Sequence, residues 1–127
     1  MPSAADNVAT DMTSRWADTF SKFDPEAQAA LYSKHALFFG SNPTLYRGRE
    51  GVAAYFKALP KWDSRAVRFT DVSTAQVNPE LINFAAIASF DVDGAAKLSV
   101  KITWVIVRED GDWKIVSHHV SSKDQLI

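Results

Sequence analysis

The stretch of sequence that decides the fold is KLSVKITWVIVREDGDWKIVSHHVS, residues 97–121. Apolar and polar residues alternate on both sides of Asp110-Gly111, which is typical of two strands that each bury one face. An Asp-Gly pair between such strands is the strongest short-range signal for a β-hairpin. We therefore predict strands over residues 97–108 and 112–121, joined by a tight turn.

Two further strands are predicted before this hairpin. Residues 66–75 are rich in strand-forming residues and are followed by Asn78-Pro79, a turn signal. Residues 81–91 alternate again, and Asp93-Gly94 marks the turn into the next strand. One face of that strand would carry Ile82, Phe84, Ala86, Ala88 and Phe90. The second half of the chain is thus predicted to be a four-stranded meander.

The first half of the chain is predicted to be mainly helical. An apolar residue recurs at every third or fourth position, which indicates a long amphipathic helix, at Val8, Met12, Trp16, Phe20 and Phe23. Asp24-Pro25-Glu26 predicts the start of a short second helix, which we expect to run to about residue 33. A short apolar strand at 36–39 and a third helix between Gly48 and Pro60 follow. The predicted order is α-α-β-α-β-β-β-β, an α+β fold with helices on one face of a curved antiparallel sheet.

Composition narrows the functional classes. The 127 residues are 46% hydrophobic and contain no cysteine, which excludes disulfides and thiolate metal sites. A net charge of −1 gives no reason to expect nucleic acid or an anionic membrane as a partner. The first seven residues lack a basic region and an apolar stretch, and no apolar run approaches the ~20 residues of a membrane span. We therefore expect a cytoplasmic protein that does not enter a membrane.

Two segments carry a family resemblance: LYRGREGV at residues 45–52 and DGDWKIVSHHVSS at residues 110–122. With the order of elements, they resemble the SnoaL-like branch of the nuclear transport factor 2-like superfamily, which has a cystatin-like fold. The last strands are also similar to the association domain of calcium/calmodulin-dependent kinase II. The resemblance covers one domain, residues 6–124. It implies a cone-shaped sheet wrapped around a long N-terminal helix, a pocket at the mouth and a homodimer, but no single activity.

The face that each side chain of the last hairpin occupies depends on the length of its loop. A two-residue loop places Trp104 opposite Ser117, and a three-residue loop that begins at Glu109 places it opposite Val116. One residue of register reverses the faces of the whole strand.

The resemblance to the kinase association domain favours the three-residue loop. The inner face would then carry Trp104, His118 and Val120, and the outer face would carry Trp113, His119 and Ser121. On that register the outer face would also expose Val105, Val107 and Ile115. So much apolar surface is a second reason to expect a homodimer.

His118 is the candidate catalytic residue, because a histidine can exchange a proton near neutral pH. The interpretation we favour is a buried histidine whose nitrogens are satisfied by neighbours, although the sequence identifies no partner for it. The superfamily that the sequence resembles includes steroid isomerases, in which a catalytic acid ends the first strand. Gly40 stands at that position here. We therefore favour non-catalytic binding or dimeric association. The alternative is an acid/base enzyme that uses His118 and is similar to polyketide cyclases, dehydratases or isomerases.

An apolar or aromatic small molecule is the predicted ligand, because aromatic side chains are abundant. Its candidate binding residues are Trp16, Phe20, Tyr32, Tyr55, Trp62, Phe90, Trp104 and Val120. No cofactor is expected. No metal is expected either, since His118 and His119 are adjacent on a strand and point to opposite faces.

Overall fold

The structure is a computed structural model that describes residues 2–127. Within these residues the chain forms three helices and six strands. In chain order they are α1 (Ala4–Ser21), α2 (Pro25–Ala30), β1 (Tyr32–Phe39), β2 (Leu45–Arg47), α3 (Gly48–Lys57), β3 (Arg65–Asn78), β4 (Leu81–Val92), β5 (Ala95–Glu109) and β6 (Asp112–Ser122). The α+β class and the predicted order are confirmed, and β2 is an additional strand of only three residues.

The strands form one curved sheet in the order β2-β1-β6-β5-β4-β3. Neighbouring strands are antiparallel except β1 and β6, which run parallel. β1 begins at Tyr32, so the expectation that α2 continues to residue 33 is wrong. Tyr32 pairs with Ile115, and the Ile115 amide donates to the Leu31 carbonyl at 3.0 Å. These sheet hydrogen bonds outweigh the local helical preference.

Helix α1 lies against the inner face of the sheet. Its first turn is closed by a capping box in which Ser3 and Asp6 each accept the other's backbone N–H, at 3.1 and 3.2 Å. The predicted apolar stripe is buried at Met12, Trp16 and Phe20. On the facing sheet, the predicted inner positions of β4 are buried or partly buried. The core therefore lies between this helix and the sheet.

The last hairpin has a two-residue loop, so the three-residue prediction is wrong. Glu109 pairs with Asp112, and Asp110 and Gly111 have φ values of 52° and 84°. Positive φ at both central positions is the type I′ turn, whose twist matches that of the flanking strands.

A β-bulge in β6 then changes the register once more. Ile106 pairs with Ile115 but Val105 pairs with Ser117, so Val116 is an extra residue on β6. Trp104 consequently lies opposite His118, a pairing that neither loop length alone would produce. The bulge leaves His118 on the buried side of the sheet.

The bulge also corrects the predicted outer face. Before the bulge the odd-numbered residues of β6 face the core, and after the bulge the even-numbered residues do. Ile115 is fully buried and Trp113 packs against the core, so neither lies on the outer face as predicted. Val105 alternates with the buried Trp104 and does lie on the outer face, as does Val107.

We expect Gly48→Val to destabilise the protein. Gly48 has a φ of +65°, which β-branched residues strongly disfavour, and an added Cβ would lie 3.3 Å from the Lys34 carbonyl oxygen. The free energy of unfolding should fall by roughly 1–3 kcal/mol, measured by urea denaturation. Gly48→Asn is the matched control, because Asn tolerates positive φ and should lose less. Equal stability of Gly48→Val and the parent would contradict a special backbone role.

Candidate ligand-binding cavity

A cavity of about 310 Å³ lies between the inner face of the sheet and the C-terminal half of α1. Six of the eight predicted ligand-binding residues line it: Trp16, Phe20, Tyr55, Trp62, Phe90 and Val120. The candidate catalytic residue His118 also lies on its wall. Sequence reasoning missed Val100 and Ile102 as lining residues, although they share the β5 face of Trp104 and the alternation identifies them.

The other two predicted ligand-binding residues, Tyr32 and Trp104, do not lie on the cavity wall. Their side chains are 0% and 1% exposed and lie behind His118. Trp104 stacks on Phe84, with ring centroids 4.5 Å apart. The reason is that the buried O–H of Tyr32 and N–H of Trp104 need hydrogen-bond partners, and both find one in His118 Nδ1.

Four buried side chains form one hydrogen-bonded chain. The Trp16 Nε1–H donates to the Tyr32 hydroxyl at 2.9 Å, and the Tyr32 oxygen lies 2.8 Å from His118 Nδ1. The Trp104 Nε1–H donates to the same Nδ1 at 2.9 Å. Because an indole nitrogen can only donate, His118 Nδ1 must be an acceptor and carry no proton. A neutral His118 therefore carries its proton on Nε2.

Burial keeps His118 in its neutral form. Desolvation, with a smaller contribution from the charge of His119, lowers the pKa of His118 to about 3. Burial likewise raises the pKa of the Tyr32 hydroxyl above its usual value. Both groups are neutral near pH 7, and the hydrogen-bonded chain carries no charge.

The wall beside Gly40 is filled by Tyr55. A Cβ built on Gly40 would overlap the Tyr55 ring, so no side chain fits there without moving that ring. The Tyr55 hydroxyl accepts from the Ser41 amide at 2.9 Å and shares a hydrogen bond of 2.7 Å with Ser41 Oγ. Tyr55 thus occupies the space that an acidic side chain at position 40 would need.

The cavity wall has little charge. Among residues 2–127, Lys97 is the one charged side chain that lines it, and this lysine is exposed at the rim. No aspartate or glutamate of the described chain lies on the wall. In the same residues, no three His, Asp or Glu side chains come together as a metal site.

This arrangement, a curved sheet wrapped around a helix with an apolar cavity, is the cystatin-like fold of nuclear transport factor 2-like proteins. The chain belongs to the SnoaL-like domain family, whose sequence profile matches residues 10–125. The predicted family is therefore confirmed. A search of curated proteins finds no match.

Solved structures with the same fold differ widely in sequence. One is a proposed calcium/calmodulin-dependent protein kinase II association domain from Xanthomonas campestris, with 19% identity, a TM-score of 0.84, and coverage of 98% of this chain and 91% of that one. A cystatin-like domain of unknown function from Nostoc punctiforme has 20% identity, a TM-score of 0.83 and coverage of 98% and 81%. A proposed scytalone dehydratase from Novosphingobium aromaticivorans has 13% identity, a TM-score of 0.82 and coverage of 93% and 83%.

No helix within residues 2–127 has the length and apolar character that crossing a membrane requires.

We expect the free energy of unfolding to decrease as the pH is lowered, because His118 is buried in its neutral form. Its pKa is about 3 in the folded state, below the ~6.5 of an unfolded histidine, so the unfolded chain takes up the proton first. The stabilising contribution is complete above pH ~6.5 and is lost as the pH falls from there toward 3, by up to ~1.4 kcal/mol per pH unit. Urea denaturation at pH 7, 6 and 5 measures this slope.

His118→Gln should flatten that slope between pH 7 and 5, and His119→Gln, the exposed neighbour, should keep it. An NMR titration of the parent gives a second measurement, in which the His118 ring signals should not titrate between pH 8 and 5. A midpoint near 6.5 for His118 would contradict a buried neutral ring.

Proposed function

We propose that this protein binds a small apolar or aromatic molecule in the cavity and does not use His118 for proton transfer. The observation that carries the proposal is the engagement of His118 Nδ1 by the Trp104 N–H. The apolar wall supports it as well, since pockets for ring-shaped ligands are mainly apolar with few polar groups.

The chemistry of His118 argues against general acid/base catalysis. A general base needs an unprotonated nitrogen facing the substrate, but the unprotonated Nδ1 faces Trp104 and Tyr32. A general acid needs a pKa near the working pH, and burial lowers the pKa of His118 to about 3. The ring is therefore suited to giving a hydrogen bond rather than a proton.

The alternative is an acid/base enzyme of the cyclase, dehydratase or isomerase kind. The paired hydroxyls of Tyr55 and Ser41 on the cavity wall favour it, because they could polarise a bound carbonyl. The similarity to a proposed scytalone dehydratase is a likeness of fold. Conversion of a bound ring compound that is abolished in His118→Gln would decide for this alternative.

We expect binding of bicyclic aromatic compounds to depend on open space in the cavity. Quenching of tryptophan fluorescence by 1-tetralone is a suitable measurement. Val120 lines the cavity, and Val120→Phe places a larger side chain in the space that the ligand would occupy. This variant should bind about tenfold more weakly, because overpacking costs roughly 1–3 kcal/mol. The control is Val77→Phe on β3, where the native side chain is 61% exposed. Equal affinity in both variants would place the ligand elsewhere.

We also propose that the protein is a homodimer formed through the outer face of the sheet. Leu37 and Phe39 of β1 are 44% and 38% exposed there. Ser117 of β6 pairs with both Leu37 of β1 and Val105 of β5, so these two apolar side chains lie in one row on either side of a small serine. The similarity to a proposed association domain, named for assembly, agrees with this. The cytoplasmic location stays a prediction.

Sedimentation velocity should therefore find a dimer at micromolar concentration. The double variant Leu37→Lys/Phe39→Lys should be a monomer, since charges on an apolar interface are left without partners. Val77→Lys, an exposed position on β3, should remain dimeric. A monomeric parent would contradict the dimer, and a dimeric double variant would move the interface to another surface.

A further inference from the structure

We propose that the cavity selects ring compounds that carry a hydrogen-bond acceptor oxygen, because His118 presents its Nε2–H to the ligand in a tautomer that Trp104 and Tyr32 fix from behind. The inference rests on the proposed binding function and names the ligand class. It also assigns Trp104 and Tyr32 as positioning residues, since neither lies on the cavity wall.

The position of Nε2 follows from the contacts of the ring. One nitrogen, Nδ1, points to Trp104 and Tyr32. One ring face stacks on Phe38, with centroids 4.0 Å apart. Among residues 2–127, Gln28 Nε2 is the one side-chain polar atom that is both fully enclosed and without a hydrogen-bond partner. His118 Nε2 also has no hydrogen-bond partner in these residues, but it is not fully enclosed. Because His118 lines the cavity, its Nε2 must face the open space of the cavity.

The tautomer follows from the donors behind the ring. The Trp104 indole can only donate, so a proton on Nδ1 would set two N–H groups against each other at 2.9 Å. The Tyr32 oxygen already accepts from Trp16, which leaves the Tyr32 hydrogen free to point at Nδ1. Both contacts therefore favour a proton on Nε2.

The remaining wall makes this N–H the distinguishing polar group. The Tyr55 and Ser41 hydroxyls share a hydrogen bond, Trp62 is half-buried and Lys97 is exposed. His118 is therefore the deeply buried side chain of the wall whose N–H has no partner in the described chain. A ligand that fills the apolar part would leave Nε2–H unpaired unless it offers an acceptor, and an unpaired buried polar group costs free energy. A carbonyl oxygen meets this need. A protonated amine does not, because no carboxylate among the described residues lies on the wall.

The test compares 1-tetralone with tetralin, which share a bicyclic skeleton and differ in one carbonyl group. A wall without a donor must prefer tetralin, because burying an unpaired carbonyl is costly. We expect the parent to bind 1-tetralone at least as tightly. We also expect the His118 Nε2 signal, observed by long-range ¹H–¹⁵N NMR, to shift with 1-tetralone and not with tetralin.

The double variant Trp104→Phe/Tyr32→Phe removes both donors behind the ring. A Nδ1-protonated form should then appear in the NMR spectrum. The ratio of the two Kd values should move toward tetralin by about threefold or more, as expected for partial loss of one hydrogen bond. Phe84→Leu is the matched control, since it disturbs the packing of Trp104 but keeps its N–H, and should change neither readout.

The outcomes separate the two proposals. If the parent binds neither compound, the proposed binding function fails, and this inference fails with it. If the parent binds both but prefers tetralin, or binds 1-tetralone without a shift at Nε2, the ligand class is overturned and the binding function stands. A proton on Nδ1 in the parent overturns the fixed tautomer, and this measurement is independent of whether the double variant folds.

Discussion

The structure depends on one buried acceptor, the Nδ1 atom of His118. Trp104 and Tyr32 both bond to it, and Trp16 bonds to Tyr32, so the acceptor joins α1, β1, β5 and β6. Each buried donor left unpaired here would cost roughly 1–3 kcal/mol. The extra residue at Val116 is part of the same constraint, because without the bulge His118 would not lie opposite Trp104.

The character of the cavity follows from this arrangement. Trp16, Tyr32 and Trp104 direct their polar atoms into the hydrogen-bonded chain, so the wall receives mainly carbon from them. Where Tyr55 does reach the wall, its hydroxyl is held by Ser41, and the absence of a side chain at Gly40 leaves room for its ring. What remains for a ligand is a mainly apolar space into which His118 directs an N–H donor.

Charged groups of the domain stabilise the other end of the hairpin. Glu109 accepts hydrogen bonds from Ser33 Oγ at 2.6 Å and from the Lys34 amide at 3.3 Å, and it forms an ion pair of 3.0 Å with Arg49. The hydrogen bond from Ser33 is the main cause that holds the pKa of Glu109 below its usual value. This carboxylate thus fastens β1 and α3 to the end of β5 and takes no part in the cavity.

The sequence by itself determined the features that depend on neighbouring residues: the apolar stripe of α1, the alternation of β4 and β5, and the Asp-Gly turns. Its motifs were also sufficient to identify the family, as the match over residues 10–125 confirms. Only the tertiary structure decided the register of β6, because the bulge at Val116 is stabilised by contacts of His118 with residues far away in the chain. Tyr32 and His118 are 86 positions apart, and no local pattern indicates their hydrogen bond. For the same reason, the tertiary structure alone decided which aromatic residues line the cavity and which lie behind it: buried N–H and O–H groups turn toward partners that only folding brings within reach.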